Sequence, residues 1–463
     1  MGGFGQRVGC IVEHLEKIYF LLQSRSRVAF STAGGNQVPI DATHAPGLKS
    51  WVQGANAPGC DFPIQNLPHG VFSPAGSAPR GGIAIGDQVL DVAAAVAAGK
   101  LKGAAAEAAA APTLNGLMAL GRDAALEIRA AVSALLAEGA EPLPALLHPM
   151  SGVAMHLPTT VRNFSDFMAS RPHCYRLGVK RDANNPLPPA FHHLPVAYHS
   201  RASSVRVSGT PLRRPWGQYP KGDGVVFAPT EAMDFELELA VWIAGENELG
   251  SPTPISLADS RLFGFGLLND WSVRDVQRYE MPPLGPFLGK SVMTAVSPWV
   301  ITAAAMEPFM VAQPAREDGD PPCPAHLTST RPDALNLQMR AAILTPKLRA
   351  AGAAPHIVTD TPFAPMSWTP AQMVAHHTSN GCNLLPGDLL GSGTVSGPKD
   401  GQEACIAELL LRGPMQFPNG ETRRFLEDGD EVVFTAQAGA PGATTIGFGE
   451  CRGEVIPAHA SVT

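Results

Sequence analysis

Met233-Asp-Phe-Glu-Leu-Glu-Leu-Ala-Val-Trp242 is the stretch on which the reading of the fold turns. Side chains alternate faces along a strand, so Phe235, Leu237, Leu239 and Val241 share one face while Asp234, Glu236 and Glu238 share the other. One face is core and the other is acid. Glu236 and Glu238 then stand roughly 7 Å apart along the strand, and carboxylates that close raise each other's pKa unless a cation lies between them. A hard divalent ion is the natural occupant. The same pattern also occurs in an edge strand whose outer face carries solvated charge against aggregation. The stretch alone leaves both readings open.

The sequence around it is of one kind. Short β-like runs at residues 205–208, 224–227, 235–243, 297–301, 335–344, 407–411 and 431–435 alternate with proline-rich loops, and helical patterns are few. They predict a domain over residues 157–463 built on a β-sandwich or roll. Residues 312–333, rich in Pro, Asp and Thr, read as a long surface loop. Ahead of this domain, residues 48–156 begin with short strands broken by Gly and Pro, and Gly86-Asp87 makes a hairpin turn. That predicts a small β-barrel or sandwich, followed over about 92–140 by alanine-rich helices interrupted at Gly99, Gly103, Pro112 and Gly116. Residues 1–47 are an extension. Val8, Ile11, Val12, Leu15, Ile18, Tyr19 and Leu22 recur there at helical spacing, as in a helix or a transit peptide. Glu13 and Glu16 speak against mitochondrial targeting, whose peptides are poor in acids.

Composition bounds the function classes. A chain of 463 residues, 45% of them hydrophobic, can bury a large core in two or three domains. A net charge of -7 without a Lys/Arg block argues against nucleic acid or an acidic membrane surface as partner. Cys10, Cys60, Cys174, Cys323, Cys382, Cys405 and Cys451 form no C-x-x-C pair, so neither a disulfide framework nor a zinc knuckle is suggested, and a reducing, cytoplasmic compartment is expected. No apolar run approaches the ~20 residues that span a bilayer.

Three further stretches carry chemistry. If Asp270 opens a helix, Asp270, Arg274 and Gln277 stack on one face at spacings of four and three; an N-cap with an intrahelical partner is the plainer reading of that spacing. Pro282-Pro-Leu-Gly-Pro-Phe-Leu-Gly-Lys290-Ser291 fails the phosphate-loop spacing, because three residues rather than four separate Gly285 from Gly289-Lys290. A proline-braced loop delivering one lysine, as acid or oxyanion partner, accounts for it better. Asn163-Phe-Ser-Asp166-Phe-Met-Ala-Ser-Arg171-Pro-His173 adds an acid and a histidine seven residues on, and residues 380–397 form a glycine-rich turn system exposing Thr394.

From about Lys49 to the C-terminus the order and spacing of these stretches resemble the fumarylacetoacetase family. The most specific pieces are Asp61-Phe-Pro-Ile-Gln-Asn-Leu-Pro68, His193-Leu-Pro-Val-Ala-Tyr-His199, Asp234-Phe-Glu-Leu-Glu238, Asn269-Asp-Trp-Ser272 through Gln277, Pro286-Phe-Leu-Gly-Lys290 and Asn380-Gly-Cys-Asn383. The resemblance implies a mainly β fold: an SH3-like β-barrel, then a mixed β-sandwich roll. It also implies a homodimer that hydrolyses a carbon–carbon bond in a 1,3-diketo acid, giving fumarate and acetoacetate at the end of tyrosine and phenylalanine breakdown. By motif position it puts calcium or magnesium on Asp166, Glu236, Glu238 and Asp270, and a second magnesium by Asp270, Lys290 and Thr294. His173 falls on the general base and Glu408 on the acid that orients it; Arg274, Gln277 and Lys290 fall on the oxyanion side. Arg181, Tyr198, Gln277 and Thr394 match substrate contacts, as do Met168 and Met281, where the family usually has tyrosine. Each lost hydroxyl removes a hydrogen bond worth ~0.5–1.5 kcal/mol. A relative retuned to another acylpyruvate or diketo acid, and a metal-stabilised scaffold without turnover, are the alternatives.

Overall fold

The computed structural model describes residues 40–461, so the helix or transit peptide expected around residues 8–22 lies outside the described residues. An eight-stranded mixed sheet forms the centre. Four of its strands carry the argument: β1 (Phe164–Met168), β2 (Leu237–Ile243), β3 (Leu262–Asp270) and β4 (Leu389–Gly391). β4 runs parallel to β1 and antiparallel to β2, and β2 pairs antiparallel with β3.

β2 is therefore a central strand, not an edge, and it is buried on both faces. Leu237, Leu239, Val241 and Ile243 enter one core, which extends to the strands Leu337–Leu344, Glu431–Ala438 and Ile446–Ile456 of a second, five-stranded sheet. Ala240 and Trp242 enter another core, shared with the N-terminal helices. Each Leu, Val or Ile so buried contributes roughly 1.5–3 kcal/mol, which fixes the register: a slip by one residue would exchange the two cores and drive Glu238 into the wrong one.

The stretch is not one unbroken strand. Met233–Asp234 pairs with Ser272–Val273, and regular pairing with β3 starts only at Leu237. Asp234 consequently does not share a site with the two glutamates. Asp270 is the last residue of β3 rather than a helix start, and the helix that follows, α2, spans Arg274–Glu280. Residues 407–411 are not a strand either. Ile406–Leu409 form a helical turn, because the Asp234 carboxylate accepts the N–H groups of Ile406 and Ala407 at its start. Of 297–301 only Ile301 enters a strand, Ile301–Thr302, while Thr294–Val296 is the segment that pairs with β3.

Ahead of the central sheet, His69–Pro74, Arg80–Ile85, Gln88–Asp91, Leu147–Pro149 and Val153–His156 make a five-stranded antiparallel half-barrel, with Gly86-Asp87 at a hairpin turn as expected. The alanine-rich stretch folds into four helices, the longest being Arg122–Leu136. Its Arg129 is buried and donates to the carbonyls of Gln65 and Asn66, holding the half-barrel's entry segment. Two longer helices lie in the C-terminal part: α1 (Arg171–Arg181), and Pro370–Thr378, which opens with a Thr369/Gln372 capping box. No helix among the described residues is long and apolar enough to cross a membrane.

Candidate active site

The central strands converge their polar ends on one cavity of about 800 Å³. Asp166 comes from β1, Glu236 from the residue before β2, Glu238 from β2, and Asp270 from the end of β3. These four buried carboxylates bring oxygens within 4.8 Å of one another. Glycine makes the approach feasible. Gly391 on β4 lies opposite Asp166, and a Cβ there would stand 2.5 Å from Asp166 Oδ1 and 2.8 Å from Glu238 Oε2. Gly393, at φ +75°, donates its N–H to Glu238 Oε2 at 2.9 Å, and a Cβ on it would strike the Phe167 carbonyl.

Two cations partly neutralise this cluster. Arg274, at the start of α2, donates to Asp234 and Glu236 at 2.7 Å each and to Gln277 Oε1 at 3.0 Å. Guanidinium groups only donate, so the Gln277 oxygen is turned toward Arg274 and its NH₂ is left to donate elsewhere. Lys290 bonds Glu236 and lies 2.9 Å from Asp270 Oδ2. Thr294 Oγ1 donates to Asp270 Oδ1 at 2.7 Å and the Tyr198 hydroxyl to Asp270 Oδ2 at 3.1 Å. Lys290 and Thr294 thus sit as donors to Asp270. A charged ammonium has no lone pair for a cation, so Lys290 serves here as a counter-charge and not as a ligand.

Burial and the Asp270 carboxylate push Asp166 up to about 8, and burial followed by Asp166 raises Glu238 well above the usual range. Glu236 goes the other way: burial opposes its charge, but Lys290 and Arg274 hold it below the ordinary value. Asp166 Oδ1 and Glu238 Oε1 are buried without a protein partner. Two orphaned carboxylate oxygens facing a cluster of oxygen donors fit a hard cation such as calcium or magnesium, which would remove both the repulsion and the unmet acceptors.

His173 stands beside this floor, in the first turn of α1. Ser170 caps the helix by accepting the His173 N–H, and Pro172 sits where no donor is needed. His173 Nδ1 lies 2.7 Å from Glu408 Oε2. Glu408 is fully buried; Ser396 Oγ donates to it at 2.7 Å, the Cys405 thiol at 3.3 Å and Arg176 at 3.2 Å. Burial favours its neutral form, yet His173, Ser396 and Arg176 keep its carboxyl below the usual range. An ionised Glu408 accepts, so Nδ1 is the donor, and in the neutral imidazole the lone pair falls on Nε2.

Of the residues singled out in sequence, Asp166, Met168, His173, Arg181, Tyr198, Glu236, Glu238, Arg274, Gln277, Met281, Lys290 and Thr394 all line the cavity, and Glu408 stands behind His173. Thr394 Oγ1 is buried and unpartnered there. Sequence reading passed over Ser396, which links the two halves of the dyad: its hydroxyl donates to Glu408 while its carbonyl accepts from Ser170 Oγ. It also passed over Arg176, Gly391 and Gly393; only the density of glycines in 380–397 signalled the last two.

Comparison with known proteins covers nearly the whole described chain. Residues 163–456 match the family profile of the fumarylacetoacetate (FAA) hydrolase C-terminal domain, and residues 65–158 match that of the fumarylacetoacetase N-terminal domain. The chain is 46% identical over 414 residues to the fumarylacetoacetase of Caenorhabditis elegans, covering 86% of this chain and 97% of that one. It is 42% identical over 413 residues to the Homo sapiens protein of the same name, covering 86% and 97%. For the Arabidopsis thaliana fumarylacetoacetase the identity is 41% over 413 residues, covering 86% and 96%.

Proposed function

This chain belongs to the fumarylacetoacetate hydrolase family, and on that premise we propose that it hydrolyses the carbon–carbon bond of 4-fumarylacetoacetate to fumarate and acetoacetate, the closing step of tyrosine and phenylalanine breakdown. The observation that carries the reading is one cavity holding both an orphaned carboxylate cluster and a histidine with a free Nε2 oriented by a buried glutamate. A scaffold without turnover has no use for base and orienter together.

His173 Nε2 takes a proton from water, and Glu408 steadies the imidazolium through Nδ1–H. The hydroxide adds to the carbonyl beside the fumaryl group. Arg274 has donors to spare beyond its three partners, Gln277 offers its NH₂, and Lys290 has a third N–H; together they face the developing oxyanion. The carbon–carbon bond then breaks, fumarate leaves with the added oxygen, and the acetoacetate fragment departs as an enolate that regains a proton at carbon. Lys290 is the donor on hand. Burial disfavours its charge, but Asp270 and Glu236 raise its pKa, so it is protonated at neutral pH. A calcium or magnesium ion held by Asp166, Glu236, Glu238 and Asp270 would supply Lewis acidity toward the diketone.

A homodimer and a cytoplasmic setting belong to the same proposal, the latter supported by the free thiols of Cys60, Cys174, Cys323, Cys382, Cys405 and Cys451. A second reading rests on Met168 and Met281. Both line the cavity and neither offers a hydroxyl, which favours a related acylpyruvate or diketo acid as substrate. Turnover of fumarylacetoacetate by the purified protein, with both products identified, decides between them.

A further inference from the structure

The ionisable residues of the cavity are segregated. Its acidic lining residues, Asp166, Glu236 and Glu238, all lie at the floor, where Arg274 and Lys290 are already engaged by Glu236. The other charged residues of the lining, Lys180, Arg181 and Arg278, are all cationic and lie at the exposed mouth. Two helices put them there. On α1, Lys180 and Arg181 follow His173 by about two turns, and on α2, Arg278 follows Arg274 by about one, so the exposed cations stand roughly 6–12 Å farther along their helices than the buried His173 and Arg274.

These three cations are little used by the protein itself. Lys180 Nζ donates to the Ala407 carbonyl at 3.3 Å and Arg181 to the Pro186 carbonyl at 3.2 Å, whereas Arg278 has no hydrogen bond or ion pair among the described residues. The acids nearest along the same helices are engaged elsewhere. Asp182 accepts from Asn184 and Asn185, Asp275 from Thr230 and the Glu231 N–H, and Glu280 from the Leu288 N–H. Met281, one turn beyond Gln277 on the same helix face, brings no donor to this end of the cavity.

We infer that Lys180 and Arg278, beside the substrate contact already expected at Arg181, form an anion clamp at the mouth that takes a terminal carboxylate of the substrate and makes the enzyme selective for dianionic diketo acids. The inference rests on the proposed diketo-acid hydrolysis for the identity of the substrate, and on the charge segregation for the clamp. A carboxylate held at the mouth leaves the diketone to reach the floor, where His173 and Gln277 stand. Lys180 and Arg278 set specificity and orientation; bond-making stays with the floor.

The test uses the full-length chain with Arg278→Gln, Lys180→Gln and the charge-keeping Arg278→Lys. Both positions are exposed, so the fold is not at stake. Two quantities are read: kcat and KM for fumarylacetoacetate, and the Kd for fumarate by calorimetry at low and high salt. Each glutamine variant is expected to raise KM and the fumarate Kd about tenfold, with kcat changed less than about twofold and a shallower salt dependence, and Arg278→Lys to recover most of the loss. Cleavage by the parent protein with KM and Kd unaltered in the glutamine variants would overturn the clamp and leave the hydrolase reading standing. Weakened fumarate binding in those variants without cleavage by the parent protein would do the reverse.

Discussion

His173 Nδ1 donates to Glu408 Oε2 across 2.7 Å of space and 235 residues of sequence. The contact fixes which nitrogen is free to act. His173→Ala should therefore lower kcat by about 10²–10⁴-fold while leaving the thermal stabilisation by added calcium as it was, since His173 is not among the four clustered carboxylates. Steady-state kinetics beside a calcium-dependent melting curve checks both halves. Loss of calcium binding together with turnover would place His173 among the ligands instead.

The carboxylate cluster should report pH. Asp166 is pushed up to about 8, by burial first and then by Asp270, and Glu238 is raised in the same way. Carboxyls whose folded pKa exceeds the unfolded value of ~4 hold protons that the unfolded chain releases, so their contribution to stability is full below ~4 and is lost as pH rises toward 8. Cation binding must expel those protons. The rise in melting temperature on adding calcium should consequently be small near about pH 6 and grow through about pH 8. A calcium effect independent of pH would mean that Asp166 is ionised without the ion.

Gly391→Ala should damage the site more than the fold. The added Cβ falls 2.5 Å from Asp166 Oδ1, so the carboxylate has to turn away. We expect a destabilisation of about 1–3 kcal/mol, loss of the calcium-dependent melting shift, and at least about a tenfold fall in kcat/KM. An alanine variant with intact calcium response would show that the cluster adapts.

Arg274→Met removes the buried cation that bridges Asp234 and Glu236. Leaving Asp234 buried without a cation, and Glu236 with Lys290 alone, should cost about 3–5 kcal/mol in chemical denaturation. It should also free the N-terminus of the Ile406–Leu409 turn, because Asp234 would no longer be held toward Ile406 and Ala407. A loss below about 1 kcal/mol would indicate that solvent reaches the pair.

How far the sequence could be read follows from where its signals are local. Glu236 and Glu238 were legible as two acids sharing one face because alternation along a strand is a property of the strand alone, but that pattern left the cation and the solvated edge equally open. Asp234 was misplaced by the same rule. The chain leaves regular pairing before Leu237, and a tertiary partner, Arg274, holds Asp234 elsewhere. Asp270 read as a helix start because its spacing to Arg274 and Gln277 is helical, yet β-pairing with Thr294 extends the strand through it. Residues 407–411 have β-like composition, but backbone capping by Asp234 turns them into a helix. The His173–Glu408 pair leaves no trace in spacing at all; only resemblance to a family joined them. Ser396 and Arg176, which complete the environment of Glu408, were beyond both kinds of reading.

The central claim is metal-dependent cleavage of fumarylacetoacetate, and its most direct test is turnover by chelator-stripped protein before and after adding calcium or magnesium, with both products identified. The account predicts negligible rate when stripped, and restored formation of fumarate and acetoacetate in equal amounts with either ion. Full turnover in the stripped protein would contradict the role given to Asp166, Glu236, Glu238 and Asp270. Intact, metal-bound protein that leaves the substrate whole would contradict the assigned reaction and turn attention to Met168, Met281 and other diketo acids.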